Sequence, residues 1–152
     1  MPLTRTLILG VGNLLLGDEG IGIHVARQLQ SMPLPPTVEV LDGGTGGFEL
    51  LDFCRNRDKI IIVDAMMADE EPGSIIRATP EELELRWHSP RSAHFGGLRE
   101  LLDALKLETP VPEIIILGIV PAIIDQLTME LSPKLKTMLD QISLLVIREV
   151  GN

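Results

Sequence analysis

Two adjacent carboxylates, Asp18 and Glu19, stand in a glycine-rich turn within the run L-I-L-G-V-G-N-L-L-L-G-D-E-G-I-G-I-H from Leu7 to His24. Turns of this kind usually hold phosphate, because their backbone N–H groups can close on an anion at a helix N-terminus. This one lacks the residues for it. A dinucleotide pattern begun at Gly10 and Gly12 needs glycine where Leu15 stands. A P-loop pattern on Gly12 and Gly17 needs a lysine and a hydroxyl where Asp18 and Glu19 stand. Two carboxylates repel phosphate and attract a cation, so the turn reads as metal-facing. The plainer reading makes Asp18 an N-cap and Glu19 a first-turn acid complementing the helix dipole; for Asp18 the cap is the preferred reading.

A third acid, Asp64, follows the apolar run K-I-I-I-V from Lys59 to Val63. Carboxylates brought together in a crevice resist joint ionisation unless a cation or a hydrogen-bond donor relieves them. Histidine is the commonest third ligand, and the chain has three. His24 lies one turn into a helix and reads as structural. His88, beside Trp87, reads as surface. His94, in S-A-H-F-G-G-L, falls between a loop and a helix start, where a ligand and an ordinary loop histidine are equally good readings. Glu, Asp and His together make a nitrogen–oxygen site suited to nickel or zinc, with positions left open for water or substrate.

The surrounding pattern predicts what must position these groups. Leu7–Leu9 and Val11 read as a strand buried on both faces, and Ile21, Val25, Ala26 and Leu29 as one stripe of a helix from about Glu19 to Met32. Val38–Leu41 is a second strand, followed by the turn D-G-G-T-G-G at 42–47 and a helix with Phe48, Leu51 and Cys54 inward, for which Thr45 could be the cap. Lys59–Val63 is a third strand and Ser74–Ala78 a short edge strand. Thr79-Pro80 starts a helix. Phe95–Leu107 is another helix, Glu113–Val120 a further buried strand, and Ser132-Pro133 opens the last helix. Strands alternating with helices predict an α/β fold: a single three-layer domain over residues 1–152, with a mostly parallel twisted sheet of about five strands and helices on both faces. The strands starting at 38, 7, 59 and 114 are expected side by side. The switch point then lies between the first and third, where ligands bind outside the carboxyl ends of strands. Glu19 and Asp64 should face each other there.

Composition narrows the function. The 152 residues carry 13 Lys and Arg against 22 Asp and Glu, a net charge of −9, which disfavours nucleic acid and anionic membrane surfaces. The apolar run at Leu7–Leu16 is interrupted by Asn13, followed at once by acids, and lacks a cleavage pattern, so it reads as a strand and not a signal peptide. Ile114–Ile124 is too short to span a bilayer. The one cysteine, Cys54, falls on a helix's apolar side and reads as a core thiol compatible with the cytoplasm. There is no G-x-S-x-G nucleophile elbow. The D-G-G-T-G-G turn could bind extended substrate backbone through Asp42, Gly43, Gly44 and Thr45, or its glycines could simply permit a tight turn.

Five segments in order carry a family resemblance: G-V-G-N-L-L-L-G-D-E-G-I-G at the N-terminus, D-G-G-T-G-G at 42–47, I-I-V-D-A at 61–65, S-A-H-F-G-G-L at 92–98 and L-G-I-V-P at 117–121. Together they resemble the [NiFe]-hydrogenase maturation endopeptidases. The resemblance implies a metal-dependent, aspartic-type, cytoplasmic endopeptidase. Such an enzyme removes the C-terminal extension of a hydrogenase large-subunit precursor after nickel insertion. It implies Glu19, Asp64 and His94 as metal ligands and Glu19 or Asp64 as the base. The nickel would be carried by the substrate, and zinc or cadmium could substitute. One departure is Ala122, where family members often carry an acid. Three rivals stand beside this: a non-catalytic metal-sensing chaperone for the same precursor, a nucleotide-binding domain using Asp42, and a peptidyl-tRNA hydrolase, whose opening strand and G-N turn look similar but whose RNA substrate the charge disfavours.

Overall fold

A computed structural model of the chain describes residues 5–86 and 98–151. The runs that are apolar at every position form the middle of one sheet. β1 (Thr6–Gly10), β3 (Lys59–Ala65) and β5 (Glu113–Ile119) are its inner strands, and β2 (Val38–Asp42) and β4 (Ile75–Ala78) its edges, in the order β2-β1-β3-β5-β4. All neighbours are parallel except β4, which runs antiparallel to β5. Register places Leu9 between Leu41 and Ile62, and Ile62 opposite Ile116. The order and the switch point between β1 and β3 agree with the sequence expectation.

Both faces of the inner strands are covered, which is why these strands show no alternation. Leu7, Leu9, Ile60, Ile62, Ile114 and Ile116 pack under α2 (Leu51–Cys54), α3 (Pro80–Arg86) and α4 (Leu98–Leu105). The alternate residues Ile8, Ile61, Val63, Ile115 and Leu117 pack under α1 (Ile21–Gln30) and α5 (Pro133–Val150). The three-layer arrangement follows. Among the described residues no helix is long and apolar enough to cross a membrane.

Helix starts behave as their sequences predict where a side chain can reach the backbone. The Thr79 hydroxyl accepts from the Glu82 N–H while Glu82 accepts from the Thr79 N–H, a reciprocal cap on α3. The Ser132 hydroxyl accepts from the Leu135 N–H at α5. Two expectations are corrected. The first helix does not begin at Glu19: Gly17–Gly20 is a separate 3-10 turn, and α1 starts at Ile21. The helix after the 42–47 turn is split into a 3-10 turn, Phe48–Leu50, and the four-residue α2, and no side chain caps either. Thr45 is exposed, and so is Phe48; Leu51 and Cys54 do face inward. The predicted helix from Phe95 is seen from Leu98 onward, its first three residues lying outside the described residues.

Glycines let α1 press against the ends of β1 and β3. A methyl group on Gly22 would collide with the carbonyl oxygens of Val63 and Val11. On Gly10 it would collide with the Gly22 carbonyl. Gly22→Ala should therefore force the helix off the strands. We expect a loss of about 3 kcal/mol or more in unfolding free energy, measured by chemical denaturation.

Candidate active site

β1 and β3 lie side by side, so the loops leaving their carboxyl ends share one crevice. After β1 the chain stays close to the sheet: the Val11 N–H donates to the Val63 carbonyl and the Gly12 N–H to the Gly44 carbonyl. Gly12 has φ +146°, and its α-carbon sits against the Glu19 carbonyl, space that a side chain would fill. The 3-10 turn then folds back: the Asn13 N–H donates to the Glu19 carbonyl and the Glu19 N–H to that of Leu16. This places Glu19, half-buried, beside the end of β3, where Asp64 sits 9% exposed.

Asp64 is the perturbed group of the site. Burial pushes its pKa well above the ordinary aspartate value, and the nearby Glu19 charge pushes it further in the same direction. The Ala65 N–H, 2.8 Å from the Asp64 Oδ1, pulls the other way and does not prevail. Glu19 and Asp64 stand on the loops leaving neighbouring strands, near enough for the Glu19 charge to act on Asp64. A cation bound near both groups would relieve the burial and the repulsion. The donor chemistry, two carboxylates open to a third ligand, fits a borderline divalent ion. Among the described residues no group of three His, Cys, Asp and Glu side chains gathers to hold one. His94 and His88 lie outside the described residues.

Asp18 has neither of the roles read from its sequence. It is not an N-cap, and its carboxylate is turned to backbone donors of a distant loop. It is 1% exposed, and its oxygens accept from the backbone N–H groups of Ala122 at 2.9 Å, Ile123 at 3.0 Å and Ser132 at 2.7 Å. The loop between β5 and α5 is thereby fastened to the loop carrying Glu19. A parallel bridge between Leu16 and Thr128 reinforces it, with the Gly17 N–H on the Thr128 carbonyl and the Thr128 N–H on that of Leu15. At Ala122, where relatives were expected to carry an acid, the backbone amide is what matters.

His24 is structural, as its sequence position suggests. It is half-buried on α1 with its Nε2 buried and without a hydrogen-bond partner, and burial holds its pKa below the usual histidine value against the opposing pull of the Met129 backbone and Asp18. Cys54 is buried, its thiol pushed up to about 11 by burial, so it is no nucleophile. In the 42–47 turn the Asp42 carboxylate accepts from the Gly44 N–H at 3.0 Å and from Arg27 at 3.1 Å. The Gly43 N–H donates to Gly10 and the Gly46 N–H to Gly43. The turn is thus tied to β1 on one side, while Thr45 stands exposed on the other.

Two outcomes follow. Asp18→Asn turns an acceptor into an amide that faces backbone donors. We expect about 3 kcal/mol of destabilisation and faster hydrogen exchange at residues 122, 123 and 132. Asp64→Asn removes a buried acid whose folded pKa exceeds its unfolded one. Between those two values the native state binds more protons, so the wild type loses stability as pH rises through that window. The metal-free variant should melt a few degrees higher at neutral pH, at about 2–4 °C per kcal/mol. That advantage should vanish below the ordinary aspartate range, and calorimetry across pH checks it.

Comparison with known proteins supplies the family. The model described as "HycI: Hydrogenase maturation protease" matches residues 23–149. The hydrogenase 2 maturation protease of Escherichia coli (strain K12) is 37% identical over 153 residues, covering 97% of this chain and 93% of that protein. The solved structure of the hydrogenase maturating endopeptidase HybD from E. coli superposes with a TM-score of 0.82 at 35% identity, over 97% of this chain and 94% of its own. A [NiFe] hydrogenase maturation protease HycI from Thermococcus kodakarensis KOD1 gives 0.82 at 26% identity, over 98% and 94%. With sequence and fold both matching, this chain belongs to the hydrogenase maturation protease family.

Proposed function

We propose that this protease removes the C-terminal extension of a [NiFe]-hydrogenase large-subunit precursor in the cytoplasm once nickel has been inserted. The observation that carries the reading is the placement of half-buried Glu19 and buried Asp64 on the loops leaving the neighbouring strands β1 and β3. Nickel arrives as part of the substrate, and zinc or cadmium could take its place. Glu19, Asp64 and His94 are the residues that would recognise it. Bound there, the ion supplies positive charge that favours the ionised carboxylates and polarises nearby oxygens.

The chain's own chemistry is proton transfer. One of the two carboxylates, Glu19 or Asp64, takes a proton from the attacking water as its oxygen bonds to the scissile carbonyl carbon. The same carboxyl returns that proton to the amine nitrogen as the C–N bond breaks. The 42–47 turn, with Asp42, Gly43 and Gly44 held against β1 and Thr45 outward, offers backbone groups to an extended peptide.

The test mixes the protein with nickel-loaded precursor and follows the precursor's mass. Wild type should release a C-terminal peptide only when nickel is present. Glu19→Gln, Asp64→Asn and His94→Ala should slow release by about a hundredfold or more. An unchanged mass with a stable nickel-dependent complex would instead make the protein a metal-sensing chaperone.

A further inference from the structure

Two of the segments singled out in the sequence, I-I-V-D-A at 61–65 and L-G-I-V-P at 117–121, run side by side in the sheet. β3 and β5 pair continuously from Lys59 and Glu113 to Ala65 and Ile119, which sets Asp64 opposite Gly118. Partners in such a ladder turn to the same face of the sheet. Ile62 and Ile116, two residues earlier on each strand, are both packed under α2, α3 and α4. Gly118 has no side chain, so the place next to Asp64 on that face is open.

Met66 fills it. A methyl group on Gly118 would lie 2.5 Å from the Met66 Cε, 2.6 Å from its Cβ and 2.7 Å from its Sδ. Met66 is 1% exposed, belongs to the same core as Ile62 and Ile116, and is anchored by its N–H on the Ile119 carbonyl at 2.9 Å. On the β1 side stands Val11, one residue past the pairing of Gly10 with Val63 and buried in that core. The Asp64 Oδ1 accepts from the Ala65 N–H, a bond to the next residue that leaves the place of both to the packing around them.

We propose that Met66 is a positioning residue for Asp64: its thioether, lodged over Gly118, walls the carboxylate on the β5 side and holds it toward the crevice. The proposal rests on the reading of the chain as a peptidase that uses Asp64. It gives the glycine of L-G-I-V-P a reason, since any side chain there would evict Met66 from beside the acid.

The test measures kcat/KM on nickel-loaded precursor for wild type, Met66→Ala, Met66→Leu, Asp64→Asn and Asp64→Asn/Met66→Ala, below the melting temperature of each. Met66→Ala should fall about tenfold or more, as loss of alignment does. Met66→Leu, which keeps the volume, should stay within about twofold of wild type. In the Asp64→Asn background Met66→Ala should change the residual rate less than about twofold, because residues that act as a unit are not additive. Should Met66→Ala not fold, Met66→Val, which keeps the Cβ and loses the sulfur, carries the same comparison. Wild-type cleavage by Met66→Ala, or an equal loss with and without Asp64, overturns the proposal while leaving the peptidase reading intact. Wild type that does not cleave overturns the peptidase reading, and hydrogen exchange at the Ala65 amide then decides the positioning. Exchange faster in Met66→Ala and restored in Met66→Leu supports it; unchanged exchange overturns it.

Discussion

Everything at the top of this sheet depends on one buried carboxylate. Asp18 is almost sealed from water, and a carboxylate so placed is tolerable only when hydrogen bonds replace its hydration. Three backbone N–H groups do so, and all belong to the segment from Ala122 to Ser132. The same bonds solve a second problem. The turn between β5 and α5 has few buried apolar side chains of its own, so little else would hold it against the domain. One carboxylate therefore fastens the last loop to the first and leaves the neighbouring Glu19 available for chemistry.

Packing makes the arrangement possible. Crossing a helix start over two strand ends at backbone contact requires that no side chains intervene, and Gly10 and Gly22 meet at that crossing. The result places the Glu19 loop against the end of β3, where the Glu19 charge adds to the effect of burial on Asp64. Burying an acid beside another acid is unfavourable for folding. Domains tolerate such groups when the rest of the core is ample, and here both faces of three inner strands are packed. The cost falls where it is useful, because an acid reluctant to lose its proton is suited to moving one.

Much of this was legible in the amino-acid order, for reasons that differ between elements. The inner strands were readable because a strand covered on both faces must be apolar at successive positions, and Lys59–Val63 and Glu113–Val120 are. The caps at Thr79 and Ser132 were readable because a cap is a contact between near neighbours. Phe48 and Thr45 were not. An aromatic residue at helical spacing reads as core, but the chain there turns through a 3-10 segment, which rotates Phe48 out. His94, which the family resemblance places in the site, lies outside the described residues.

By itself the sequence determined the α/β class, the strand order and the position of the crevice, with Glu19 and Asp64 on the loops that leave its two central strands. These follow from periodicity and from the rule that parallel strands put their outgoing loops on one edge. Tertiary structure alone decided what Asp18 does and which apolar residues face water. Its partners stand 104, 105 and 114 residues away, and a hydrogen bond at that separation leaves no local pattern. The exposure of Leu15, Leu127 and Met129 is likewise visible only in the folded chain. A residue's type states which bonds it can make; only the folded chain supplies the partner.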